Sequence, residues 1–168
     1  MRTAAIGLAA LSLIAGRAAA DTVSPADVAA LTAPLQKLVD AIYKTSTTFP
    51  KGVFTRDCIV LDDFAPYRWS GKKHVGDWYL GLVGANAKDH DAFVQMKPVV
   101  TLGAAAYPHI ADDKLHAYVV FPSTFDFTED GKRMHQTGQW IISEVKVKNT
   151  WLIAGHAWAI TAEGPAAP

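Results

Sequence analysis

Cysteine is almost absent: Cys58 is the only one in 168 residues, so no disulfide can form within the chain. Cys58 lies in the apolar run Cys58-Ile59-Val60-Leu61 with Arg56 as its nearest cation in sequence, which reads as a buried, inert thiol and not as a nucleophile. Charge is also sparse, at 19% of residues, with no basic stripe of the kind that suits nucleic acid. Gly81, Gly84 and Gly103 do not make the G-x-G-x-x-G spacing of a phosphate-binding loop, and no H-x-x-x-H pair occurs. His116 and His156 are predicted two strands and two residues apart, about 12 Å between backbones, too far to share a metal without strain. The expectation is therefore no metal and no cofactor. There are no internal repeats, low-complexity segments or linkers, and half of the residues are hydrophobic, which fits one domain with a substantial core.

The only long apolar run comes first. Met1-Arg2 supplies a positive end, residues 6–14 an apolar stretch, and Ala18-Ala19-Ala20 a small-residue cleavage site before Asp21. Residues 1–20 read as a secretory signal peptide, too short in its apolar part to span a bilayer. Removing them takes Arg2 and Arg17 from 16 basic residues and leaves 14 against 16 acidic, a net charge of −2. The mature domain is expected over 21–162, in the periplasm or outside the cell, with 163–168 a flexible tail and no membrane span.

Residues 135–161, HQTGQWIISEVKVKNTWLIAGHAWAIT, carry the strongest strand pattern. With a two-residue loop at Asn149-Thr150, alternation places Ile141, Ser143, Val145 and Val147 on one face with Leu152, Ala154, His156, Trp158 and Ile160. That face is nearly all apolar and is expected to point inward. Trp140, Ile142, Trp151 and Ile153 then form an apolar outer patch suited to a partner copy. Asp130-Gly131 is a second hairpin signal. It sets Val120 against Ile141, Tyr118 against Ser143 and His116 against Val145. Joining the two registers predicts an inner row Tyr118–Ser143–His156.

Earlier in the chain, Ser24-Pro25-Ala26-Asp27 starts a helix, and Leu35, Leu38, Val39 and Ile42 give it one apolar side. Pro34 predicts a kink or a second start. A strand is expected over 58–64, a turn over 65–71, a helix over 72–82, a polar loop over 86–91, and strands over 93–106 and 115–128.

Helices first, then strand, helix and long antiparallel strands make an α+β arrangement. The run IVLDDFAPYRWSGKKHVGDWY, a hairpin carrying DGK, then GQW and NTWLIAGHAW resemble the SnoaL-like branch of the nuclear transport factor 2-like superfamily. The features that carry the resemblance are Asp62-Asp63 at a strand end, the turn Trp69-Ser70-Gly71, and Trp151, Ile153 and His156, and it spans about residues 34–160. It implies a curved, mostly antiparallel sheet wrapped around N-terminal helices into a cone. It also implies an apolar interior and a homodimer through the outer sheet face. Relatives similar to ketosteroid isomerase place a general-base aspartate where Asp63 stands, although Phe64 replaces the usual proline and Tyr43 is displaced from the tyrosine position.

Two functions follow as expectations. The first is a domain that holds a small hydrophobic molecule, with Tyr67, Trp69, Trp78, His116, Val120, Ile141, Ser143 and Trp158 as candidate contacts. The second is a cofactor-independent lyase or isomerase using Asp63 with His156 and Tyr118, because a carboxylate at the mouth of an apolar pocket gains a raised pKa. A dimeric scaffold with a filled cone is a third. The leader reading predicts that protein recovered from its native envelope begins at Asp21; mass spectrometry finding Met1 or Arg2 on the mature chain would overturn it.

Overall fold

The computed structural model describes residues 23–166, so the leader lies outside the described residues. Helix α1 covers Pro25–Tyr43. Ser24 accepts a hydrogen bond from the Asp27 amide, and proline fills the first helical position, where no amide is needed. Pro34 lies inside α1 without ending it. It removes one amide donor, and the carbonyl it would have served belongs to Ala30 on the exposed side. Leu31, Leu35, Leu38 and Ile42 are buried at helical spacing against the sheet.

The remaining elements are β1 (Phe54–Leu61), β2 (Arg68–Ser70), α2 (Gly71–Val83), α3 (Ala87–Gln95), β3 (Val99–Leu102), β4 (Ala106–Ile110), β5 (His116–Glu129), β6 (Lys132–Val147) and β7 (Thr150–Pro165). The strands form one curved, unclosed sheet in the order β2-β1-β7-β6-β5-β3, with β4 also on β5. Every pairing is antiparallel except β1 with β7. The fold is α+β with the helices on the concave face, as expected.

Three local expectations change. The polar loop at 86–91 is the start of α3, because Asn86 caps the Asp89 amide at 3.1 Å and Phe93 supplies a buried anchor. The strand expected over 93–106 starts instead as the end of α3, to Gln95, and continues as two short strands, β3 and β4, separated around Gly103, whose amide donates to the Pro122 carbonyl at 2.7 Å. The tail expected from 163 begins later: Glu163, Gly164 and Pro165 pair with Gln136, His135 and Met134.

The hairpin registers decide the interior. The Asp130-Gly131 loop is as expected, and Val120, Tyr118 and His116 face Ile141, Ser143 and Val145. The last hairpin turns one residue earlier, at Lys148-Asn149, where both residues have positive φ (48° and 65°) as a tight twisted turn requires. Glu144 then faces Ile153, but Ser143 faces Gly155, so Ala154 is an extra residue in β7. The bulge lets Trp151 and Ile153 share the inner face with His156 and Trp158.

Trp140, Ile142, Trp151 and Ile153, expected outside, are therefore core residues between 0% and 6% exposed. Ile141, Ser143, Val145 and Val147 are on the convex face, and His156 pairs with Ile142 instead of Ser143. The row Tyr118–Ser143–His156 does not form. Its inner counterpart is Val119–Ile142–His156.

This register also buries Glu144, 1% exposed and without a hydrogen-bond partner among the described residues. Burial pushes its carboxyl up to about 8. The folded state thus holds this proton more tightly than the unfolded chain. Stability from Glu144 is fully present below about pH 4.5 and falls as pH rises toward about 8. His156 has the opposite sign: its stability is present above 6.5 and is lost as pH falls toward about 3. Between pH 6.5 and 8 only the Glu144 slope remains of the two. Urea denaturation should show a loss of about 2 kcal/mol across that window, and Glu144→Gln should flatten it. A pH-independent wild type would refute the buried neutral acid.

Candidate functional site

β1 ends at Leu61, and the next residue begins the turn that leads to β2. Tyr67 closes that turn, its amide donating to the Phe64 carbonyl at 2.8 Å. The two aspartates diverge there. Asp63 is exposed, while Asp62 is half-buried and held from two sides. The Asp63 amide donates to Asp62 Oδ1 at 2.9 Å, and the indole Nε1 of Trp78 in α2 donates to Asp62 Oδ2 at 2.7 Å. Burial raises the Asp62 carboxyl to about 6, and the Trp78 hydrogen bond pulls the other way.

Asp62 opens onto a cavity of about 150 Å³ between the helices and the concave sheet. Ile42 comes from α1, Trp78 and Leu82 from α2, and Val100 from β3. Phe125 comes from β5, Gln136 and Trp140 from β6, and Trp158 from β7, with Phe64 and Asp63 completing the rim. Exposed Asp63 marks the mouth. The inner wall is aromatic: Trp140 and Trp158 have ring centroids 5.3 Å apart.

His156 stands one ring behind that wall, 4.6 Å from Trp140 and 5.1 Å from Trp78, centroid to centroid. It is 3% exposed, and neither ring nitrogen has a partner among the described residues. Burial pushes its pKa down to about 3, so it is neutral at physiological pH.

Of the expected contacts, Trp78, Trp158 and Asp63 line the cavity. Trp69 is buried but packs on Phe64 at 4.9 Å, outside the lining. Tyr67 is 62% exposed at the turn. Tyr118, Val120, Ile141, Ser143 and His116 are turned to the convex side by the parity of β5 and β6. Tyr118 is 42% exposed there, and His116 Nδ1 donates to Asp113 Oδ2, 2.7 Å away. Asp63, His156 and Tyr118 are thus not gathered in one place, because Tyr118 is on the opposite face of the sheet. Sequence reasoning missed Asp62, Gln136 and Trp140. The one available signal was the Asp62-Asp63 pair, but a dipeptide cannot tell which carboxylate a distant indole will meet. Among the described residues no group of three or more His, Cys, Asp or Glu is placed to hold a metal ion.

The fold is that of the SnoaL-like and nuclear transport factor 2-like proteins. A putative scytalone dehydratase from Novosphingobium aromaticivorans superposes with a TM-score of 0.65 at 12% identity, covering 85% of this chain and 89% of the other. A hexachlorocyclohexane dehydrochlorinase from Novosphingobium barchaimii gives 0.66 at 8% identity, covering 84% and 91%. A nuclear transport factor 2-like superfamily protein from Salmonella enterica serovar Typhimurium gives 0.60 at 16% identity, covering 83% and 94%. No sequence-family model matches the chain, and no curated protein matches it. Identities this low fix the fold and leave the activity to the site itself.

Proposed function

We propose that this is an exported domain whose cone binds one small, largely apolar molecule, with Asp62 as the polar anchor at the mouth. The observation that carries this reading is the cavity: about 150 Å³, walled by aliphatic and aromatic side chains, with a half-buried carboxylate at one end. A cavity of about that volume accommodates a single aromatic ring. Export is supported by the charge, apolar run and small-residue site of residues 1–20. No helix among the described residues is long and apolar enough to cross a membrane.

A second reading is favoured by the Asp62 pKa of about 6. A carboxylate tuned toward neutrality beside an apolar cavity is suited to taking a proton from carbon, as a cofactor-independent lyase or isomerase requires. The dehydratase and dehydrochlorinase among the structural neighbours support that class. Asp62 then takes the role expected of Asp63, with His156 behind the wall and Tyr118 outside it.

Quenching of the lining tryptophans by isopropenylbenzene tests the pocket. Wild type should saturate, and Leu82→Trp, which fills the cavity, should bind at least tenfold more weakly, roughly 1.4 kcal/mol. No saturation in the wild type would sink the binding reading. Under the enzymatic reading, Asp62→Asn abolishes solvent-deuterium exchange into an acidic C–H of a bound ketone and leaves affinity within about twofold. Exchange that persists in Asp62→Asn would rule Asp62 out as the base.

Association through the convex face is also proposed, now on different residues. Ile141, Val145 and Leu152 are half-buried there, and Val147 is 44% exposed. Sedimentation should give a dimer for the wild type and a monomer for the double variant Val147→Lys with Leu152→Lys; a monomeric wild type would remove this proposal.

A further inference from the structure

The cavity is aromatic, and its charge is of one sign. Five rings line it, those of Phe64, Trp78, Phe125, Trp140 and Trp158, and the charged side chains in the lining are Asp62 and Asp63. No lysine, arginine or histidine stands among them. Asp62 takes no part in an ion pair among the described residues. Its carboxyl feels burial first, then the hydrogen bonds from Trp78 and the Asp63 amide, then the charge of Asp63, and no cation offsets them. A half-buried carboxylate so placed is short of both water and counter-charge, which is costly once it ionises. An ionised carboxylate has about four acceptor sites. Two neutral donors, the Asp63 amide and the Trp78 indole, occupy two of them. What is left can only accept, and it shares the cavity with rings whose faces attract cations.

We propose that the cavity binds an organic cation, a primary ammonium on a small aryl or alkyl body, with the ammonium on the Asp62 carboxylate and the body among the rings. This rests on the small-molecule reading and adds the ligand's charge. An ammonium brings three N–H donors and no acceptor, which matches the capacity Asp62 has left. Its hydrogen bonds to a carboxylate are about twice as strong as neutral ones, and the tryptophans add cation–π attraction. Asp63, exposed at the rim, contributes a second negative charge that draws a cation toward the mouth. Gln136, the one neutral polar side chain in the lining, has its amide turned to Glu163 and does not compete for Asp62. An uncharged molecule of the same shape fills the space without supplying the missing counter-charge.

Benzylammonium and ethylbenzene have nearly the same shape, an ammonium in one standing where the other has a methyl, so comparing them isolates the charge. At about pH 7, Asp62→Asn should weaken benzylammonium at least tenfold and leave ethylbenzene within about twofold. In wild type, benzylammonium should weaken about tenfold between about pH 7 and about pH 5, as Asp62 takes up its proton, and ethylbenzene should not. His156, neutral above about 3, and Glu144, neutral below about 8, keep their state across that window. Asp63 is the other titratable group facing the cavity, and Asp63→Asn should retain the pH step. If Asp62→Asn does not fold, calorimetry on wild type decides: at about pH 6, benzylammonium should displace roughly half a proton and ethylbenzene none. Benzylammonium binding that survives in Asp62→Asn, a pH step lost in Asp63→Asn, or no proton release would overturn the proposal while ethylbenzene still reports the pocket. Failure of both compounds to bind would remove the pocket and the proposal together.

Discussion

One extra residue in β7 governs the interior of this protein. Without the bulge at Ala154, strict alternation would send either Trp151 and Ile153 or His156 and Trp158 out of the cone. With it, both pairs point inward and meet the unbroken inner face of β6, where Trp140, Ile142 and Glu144 lie. That Trp151 and Ile153 share the interior with His156 and Trp158 follows from that irregularity. Beside it stands Gly155, where a Cβ would lie 2.6 Å from Ser143 Oγ and would require that hydroxyl to turn away.

The same irregularity marks where the sequence stops being readable. The two long strands that flank Asp130-Gly131, their register, the capped first helix and the α+β class are all local signals, and the structure carries them. The last hairpin was misread because its face was chosen by counting apolar residues. A bulge of one residue leaves no trace in an alternating pattern. Asp62 was passed over for a related reason. Its burial depends on Trp78, sixteen residues away on α2, and no spacing rule connects a strand end to one indole. The site was therefore legible as an aspartate beside tryptophans, and illegible as to which ones.

The interior is unusual for how much polarity it keeps. Glu144 and His156 are both neutral near physiological pH, each through burial and in opposite directions. Neutrality avoids the large cost of a buried charge but leaves hydrogen-bonding capacity unspent. An apolar residue at either position would make a simpler core. Both stand outside the cavity lining, in the packed layer between the helices and the sheet.

Gly138 sets the size of that cavity by what it lacks. A single methyl there would stand 2.5 Å from the indole of Trp158 and 2.7 Å from the Ala159 carbonyl. Trp158, one of the residues that line the cavity, lies in the seat that the missing side chain leaves. Position 138 thus works as a calibre: its bareness holds the bore open, and any bulk added on the strand would narrow it from behind the wall without touching a ligand.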